Sequence, residues 1–228
     1  MITIFHTFYN QHHMLEKHFA AWQDHPKEIF EYIIIDDCSI TPITIQQNIS
    51  NFSVFRIDPD IPWNVSGARN LGFHVASNEW VLCADIDHVV TSSVAQKLLT
   101  LDLTNSNIAY VFKRIRERDG YVGCKAAMNI LINKKRYWQI GGYDEDFSGH
   151  YWKEDIFFLK CLQYHQIQMV YVEDIFLSWH PEIGSTRRLS RDKSHNISLF
   201  EKKSKALLDG QYKNGNVLRF NWKYQRTR

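Results

Sequence analysis

Along the first ninety residues, apolar runs alternate with amphipathic stripes. Ile2 to Phe8 is β-branched and aromatic and reads as a strand, and Met14, Leu15, His18, Phe19 and Trp22 then recur at the spacing of one helix face. Tyr32-Ile33-Ile34-Ile35 is a continuous apolar run that stops at Asp36-Asp37, which suits a strand buried on both faces of a parallel sheet. Val54 to Ile57 predicts a third, shorter strand. Ser66-Gly67-Ala68-Arg69-Asn70 opens a helix to about Ala76, with Leu71 and Val75 on one face and Asn64 or Ser66 as cap. Trp80-Val81-Leu82-Cys83-Ala84 predicts a fourth strand, again ended by carboxylates. This rhythm predicts an α/β fold, a mostly parallel central sheet flanked by helices in a single domain.

The second half is less regular. Ser92 or Ser93 is placed to cap a helix through Leu98 and Leu99, and Ile108 to Phe112 predicts a strand. Asn129 to Ile132 predicts another, leading into a short helix with Tyr137, Trp138 and Ile140 that Gly141-Gly142 ends. Glu154-Asp155 stand at the head of a helix whose apolar face carries Phe157, Phe158, Leu159 and Leu162. Met169 to Val172 predicts a late strand, and His180-Pro181 follows the run Phe176-Leu177-Ser178-Trp179. The expected division is a main domain over residues 1–186 and a basic extension over 187–228 packed on it. In that extension Leu218, Phe220, Trp222 and Tyr224 alternate with polar residues, as in an edge strand or extended arm.

With 228 residues the chain can bury one sizeable core. A net charge of +2 excludes a bulk nucleic-acid binder, which would carry a concentrated basic excess. Aromatics reach 14%, and such rings stack on bases and on the apolar faces of sugars as well as packing cores. No apolar run approaches the roughly 20 residues of a transmembrane helix, so no transmembrane segment is expected. The first residues lack the basic start and cleavage site of a signal peptide. Cys38, Cys83, Cys124 and Cys161 are widely spaced and form no CxxC pair. Reduced thiols and a cytoplasmic location are expected. The sequons at Asn48, Asn51, Asn64 and Asn196 then carry no glycan. The basic tail raises two further ideas, a peripheral membrane contact and an anionic acceptor.

In a parallel α/β sheet, ligands bind beyond the carboxyl ends of the strands. Three strand ends here carry polar groups: Thr7-Phe8-Tyr9-Asn10, Asp36-Asp37 and Asp85-Ile86-Asp87-His88. One residue apart on an extended segment, Asp85 and Asp87 point to the same side. Two convergent carboxylates suit a hard divalent cation, which in turn neutralises a diphosphate. Against this stands the plain use of Asp as a turn former at a strand end.

Taken together and in order, five segments resemble the GT-A fold glycosyltransferases, family 2 above all. They are the first strand end at Thr7-Phe8-Tyr9-Asn10; Ile35-Asp36-Asp37-Cys38-Ser39; Ser66-Gly67-Ala68-Arg69-Asn70-Leu71-Gly72; Trp80 to Asp87; and Gly141-Gly142-Tyr143-Asp144-Glu145-Asp146-Phe147 followed by Glu154-Asp155. The resemblance spans about residues 1 to 181 and implies a nucleotide-sugar donor, a glycan or glycoconjugate acceptor, and Mn2+ or Mg2+ as cofactor. It implies that Thr7, Tyr9 and Asp36 (or its neighbour Asp37) hold the base and ribose, and that Arg69 faces an anion. Asp87 would ligate the metal, with Asp85 contacting the ribose or a metal-bound water. His180 would be a second ligand, as in capsule- and chondroitin-type transferases of this fold; His88 is a lesser alternative. Asp155 would act as general base, Glu154 would orient the acceptor, and Gly141-Gly142 would let the backbone approach the donor sugar. Three departures stand out: Thr7 where the family usually has Pro, Cys38 where it has Gly, and the bulky Tyr151-Trp152-Lys153 before Glu154, with Trp152 a candidate sugar platform.

The reaction so implied is an inverting single displacement. Its rivals are a retaining transferase, a sugar-nucleotide pyrophosphorylase, and a non-catalytic carbohydrate- or nucleotide-binding module. Tyr9-Asn10-Gln11-His12 occupies the place where a pyrophosphorylase carries a Gly-rich basic loop, which counts against that rival.

Overall fold

Neighbouring residues of the buried strands go to opposite sides of one sheet. Ile2 and Ile4 of β1 (Ile2–Phe8), Ile34 of β2 (Phe30–Asp36) and Leu82 of β4 (Trp80–Asp85) pack with Met14, Phe19 and Trp22 of α1 (His12–Gln23) and with Val94 and Leu98 of α3 (Ser92–Leu98). Phe5, Ile33, Ile35, Val81 and Cys83, on the opposite face, pack with Leu71 and Phe73 of α2 (Val65–Val75), Tyr137 of α4 (Lys134–Gln139), and Phe158 and Leu162 of α5 (Glu154–Tyr164). The continuous apolar runs are therefore strands covered on both faces. The computed structural model describes residues 1–44, 50–123, 129–181, 186, 189–215 and 217–225. Asn48, Cys124, Arg187 and the last three residues lie outside them.

With β3 (Phe52–Ile57), the first strands form a parallel block in the order β3-β2-β1-β4. The order turns back between β1 and β4, which makes the carboxyl ends of those two strands the place for a ligand. The second half extends the sheet with mixed pairings. β8 (Ile130–Asn133) runs antiparallel to β4, and β6 (Ile108–Arg116) antiparallel to β8. β9 (Gln168–Trp179) lies parallel to β6, and the two-residue β5 (His88–Val89) closes that edge against β9. A short β7 (Val122–Gly123) adds a hairpin to β6.

Several local expectations change. β9 continues past Val172 because a bulge at 173–175 absorbs Glu173-Asp174 and lets Phe176 to Trp179 pair again with β6. Thr91 caps α3, its hydroxyl accepting from the Val94 N–H, so Ser92 and Ser93 are already helical. Asn64, one of the two expected caps, does stand at the N-cap of α2, but its side chain makes no capping bond and its amide donates instead to Asp37. After the basic turn of the chain, α6 (Ser194–Leu208) packs on α5, and β10 (Trp222–Gln225) pairs antiparallel with β3 as an edge strand. Nothing in the sequence reading foresaw α6.

Candidate active site

Beyond the ends of β1 and β4 lies a cleft of about 240 Å³. Of the residues expected there, Thr7, Tyr9, Arg69, Asp85, Asp87, Glu154 and Asp155 line it. Asp87 and Asp155, far apart in the chain, both face this one space.

Arg69 joins the two halves of the cleft. Its side chain is 1% exposed, donates to the Asp85 carboxylate at 3.0 Å and to the Asp155 carboxylate, and lies over the Tyr143 ring. The expectation of an anion near Arg69 is thus answered within the protein, by two carboxylates. The Thr7 hydroxyl also donates to Asp85, at 3.2 Å, and the Tyr143 hydroxyl donates to Asp155 at 3.3 Å. Burial raises the Asp155 carboxyl above its ordinary range, with Arg69 pulling the other way. Burial and then the charge of Asp155 push Glu154 up to about 7.

Asp85 ends β4 and Asp87 lies in the turn that follows rather than on an extended segment, and both line the cleft. The same turn brings His88 Nδ1 to 2.5 Å from Asp87 Oδ1, contrary to the expectation that the imidazole points away. Asp87 Oδ1 is buried against that ring nitrogen. Oδ2 accepts from the Trp179 indole at 3.1 Å. Burial alone would raise this carboxyl, yet His88, Trp179 and Arg114 hold it below the usual range.

Among the described residues, no three His, Cys, Asp or Glu side chains converge closely enough to hold a metal ion unaided. A cation on one or two carboxylates plus substrate phosphates needs no such cage, and the Asp87 carboxylate on the cleft wall, with Asp85 beside it, fits that role. His180 does not line the cleft. Its N–H donates to the Asp87 carbonyl at 2.8 Å, its Nδ1 meets Glu117 at 2.7 Å, and its Nε2 lies 3.2 Å from the Ser178 hydroxyl.

Three expected residues are elsewhere. Asp36 is fully buried, bonded to the Ser39 N–H at 2.9 Å and paired with Arg56, so its side chain turns from the cleft. Asp37 takes its place on the wall, and burial raises its carboxyl well above normal against the opposing Asn64 amide. Gly142 is buried outside the cleft; at φ 66°, a Cβ there would meet Asn70 Oδ1 at 2.8 Å. The bare position leaves room for the Asn70 side chain. Trp152 stands outside the lining with 36% of its surface exposed, while its neighbour Tyr151 lines the cleft.

The segment after Gly142 also departs from its expected use. Asp144 accepts from Lys203 at 2.5 Å and from Tyr212 at 2.8 Å, and Glu145 accepts from the Leu218 and Arg219 N–H groups at 2.7 and 3.1 Å. These buried acids anchor α6 and the C-terminal arm. Asn70 ties α2 to the same segment, donating to the Tyr143 carbonyl and to Glu145. Sequence reasoning missed Tyr143, Tyr151 and Trp63 as site residues. Tyr143 lay within a recognised segment, whereas Trp63 and Tyr151 carry no local signal.

A family described as Glycosyl transferase family 2 matches residues 3–164. An uncharacterized glycosyltransferase of Haemophilus influenzae is 30% identical over 83 residues, 36% of this chain and 28% of that relative. The chain thus spans little more than a quarter of that protein's length. Among solved structures, S. aureus TarS 1-349 in complex with UDP-GlcNAc aligns with a TM-score of 0.69 at 13% identity, over 92% of this chain and 71% of TarS. GalNAc-T7 with UDP, GalNAc and Mn2+ aligns at 0.70 and 13% identity, over 93% of this chain and 49% of its own. The Pyrobaculum calidifontis mannosyltransferase PcManGT, in complex with GDP-Man and Mn2+, aligns at 0.55 and 10% identity, over 90% and 62%. The fold is GT-A, and with most of its length matched the chain belongs to glycosyl transferase family 2.

Proposed function

We propose that the chain transfers a sugar from a nucleotide diphosphate donor, a UDP-sugar by preference, to a hydroxyl of a glycan acceptor with inversion. The observation that carries this reading is the meeting of Asp85, Asp87, Glu154 and Asp155 in one cleft, with Arg69 between them. Similarity to structures holding UDP or a UDP-sugar supports the donor class.

Asp87 would hold Mn2+ or Mg2+, with Asp85 beside it. His180 is the proposed second ligand: a ligating imidazole is usually oriented by a carboxylate on its other nitrogen, which is the relation of Glu117 to His180 Nδ1. The bound ion supplies neutralisation of the charge that builds on the departing diphosphate. Thr7, Tyr9 and Asp37 are proposed to receive the base and ribose. Asp155 takes the proton from the acceptor hydroxyl; Arg69 and Tyr143 fix the orientation of its carboxylate. Glu154 positions that hydroxyl.

Replacing Asp155 by Asn should preserve Mn2+-dependent UDP-sugar binding while transfer falls about 10²–10⁴-fold. Near-normal turnover would remove Asp155 from the role. One observation favours Glu154 as the base instead: no described side chain donates a hydrogen bond to its carboxylate, whereas Asp155 is committed to two partners. If Glu154→Gln is the more damaging change, the roles reverse. A thermal-shift screen of UDP-, GDP- and dTDP-sugars with and without Mn2+ tests the donor. No stabilisation by any of them would sink the transferase reading.

A further inference from the structure

The mouth of the cleft carries positive charge laid against aromatic rings. Trp63 and Tyr151 line it with ring centroids 4.6 Å apart. The Arg191 guanidinium lies 5.3 Å from the Trp63 centroid and 5.1 Å from that of Tyr151. Next to them, Lys153 and Lys193 approach the Trp152 ring at 4.2 and 4.4 Å. Among the described residues none of these three cations forms an ion pair. Arg191 and Lys193 are exposed and Lys153 half-buried.

The backbone holds this group in place at a cost. Trp63, Trp152 and Lys153 have φ of 53°, 84° and 81°, a region bulky L-residues rarely enter, and such strain gathers at functional sites. The buried Asn196 side chain of α6 clamps the loop by donating to the carbonyls of Phe147, His150 and Trp152 at 2.8–3.1 Å. Arg191 is steadied by the Tyr151 and Thr186 hydroxyls at 3.3 and 3.2 Å.

The floor of the cleft has the opposite sign, with Asp37, Asp85, Asp87, Glu154 and Asp155 against Arg69 alone. A ligand that needs cations at its exposed end is therefore different in kind from one that needs them at the floor. Trp152 and Lys153 precede Glu154-Asp155 directly, so they flank whichever carboxylate receives the acceptor proton. Aromatic faces suit the apolar side of a sugar ring, and uncompensated cations beside them suit an anion.

Resting on the transferase reading above, we propose that the acceptor is an anionic glycan, with carboxylate or phosphodiester groups next to its sugar or polyol units. Trp63, Tyr151 and Trp152 form the stacking surface, and Lys153, Arg191 and Lys193 take the charge.

The test uses the full chain with UDP and Mn2+ and follows tryptophan fluorescence. The probes are a uronate-containing tetrasaccharide with its carboxyl-reduced counterpart, and an oligo(glycerol phosphate) with uncharged oligoglycerol. At least one anionic probe should bind about tenfold more tightly than its neutral partner, with the preference fading in high salt. The pair that discriminates names the source of the charge. The double substitution Lys153→Gln/Lys193→Gln should bring the ratio toward one. The inference is overturned if neither pair is discriminated, if no probe binds, or if the double variant weakens UDP as much as the anionic probe. That last result would assign the cations to the donor diphosphate. Binding to anionic vesicles without glycan preference would overturn it equally. A donor screen that succeeds while the probes fail removes this inference alone; the reverse removes the transferase reading and the acceptor role with it, leaving only anionic-glycan binding at this surface.

Discussion

Arg69 is bonded to both Asp85 and Asp155, with Glu154 beside them, and burial raises the carboxyls of Glu154 and Asp155 together. The elevation of Glu154 to about 7 gives a pH dependence with a definite sign. In the proposed reaction its ionised form orients the acceptor, so kcat/KM should rise with pH through about 7 and level above it. In Glu154→Gln that limb should vanish and leave a lower one; an unchanged profile would show that Glu154 does not titrate in the reaction. At the proposed metal site, Asp87→Ala and His180→Ala should each weaken Mn2+ binding by calorimetry, and Glu117→Gln should cost about 10–100-fold by releasing the imidazole. Full Mn2+ affinity in His180→Ala would exclude it as a ligand. The departures from the family pattern become intelligible at this scale. Cys38 stands at φ 59°, where a glycine would sit without strain, and Trp152 and Lys153 take a left-handed path that small residues would follow more cheaply.

The helices place this chemistry by close approach to the sheet. A Cβ on Gly72 of α2 would lie 2.4 Å from the Phe5 ring of β1, so α2 carries Arg69 to the strand ends only because that position is bare. Gly72→Ala should lower stability by about 1–3 kcal/mol through overpacking, read from urea unfolding midpoints, and should reduce activity by shifting Arg69. No change in either would mean that Phe5 yields freely. α6 reaches the site through one residue. Asn196→Ala strips the donor from three carbonyls of the 147–152 loop. The expected result is a loss of about 1–3 kcal/mol with a fall in kcat larger than any change in donor KM. The β9 bulge and α6 were the elements hardest to read, because each depends on a partner remote in sequence. Asp174, for example, sits in a bulge only because Phe176 to Trp179 find β6 again.

Across the whole molecule, one apolar layer encloses histidines. His6 and His18 are fully buried with ring centroids 4.2 Å apart, and burial lowers both below the ordinary histidine range, His18 to about 4. The unfolded chain binds protons that the fold excludes, so this contribution is complete above 6.5 and is lost as pH falls toward about 4. The raised carboxyl of Glu154 works in the opposite direction, which makes a difference measurement the cleaner one. His18→Leu should flatten the dependence of the urea midpoint on pH between those limits; an unaltered slope would contradict it. No helix among the described residues is long and apolar enough to cross a membrane. The sequence alone determined the strand–helix order of the first half and the buried faces of the parallel strands, since a repeat of two or 3.6 is a local property of the chain. It also marked Asp85, Asp87 and Asp155, because acids beside strand and helix ends fall into recognisable segments. Only the tertiary structure decided that Asp37 rather than Asp36 faces the cleft, that Arg69 bridges two carboxylates, and that Asp144 and Glu145 hold the C-terminal arm. Each of those choices depends on which distant group satisfies a buried charge, and no local pattern records that partner.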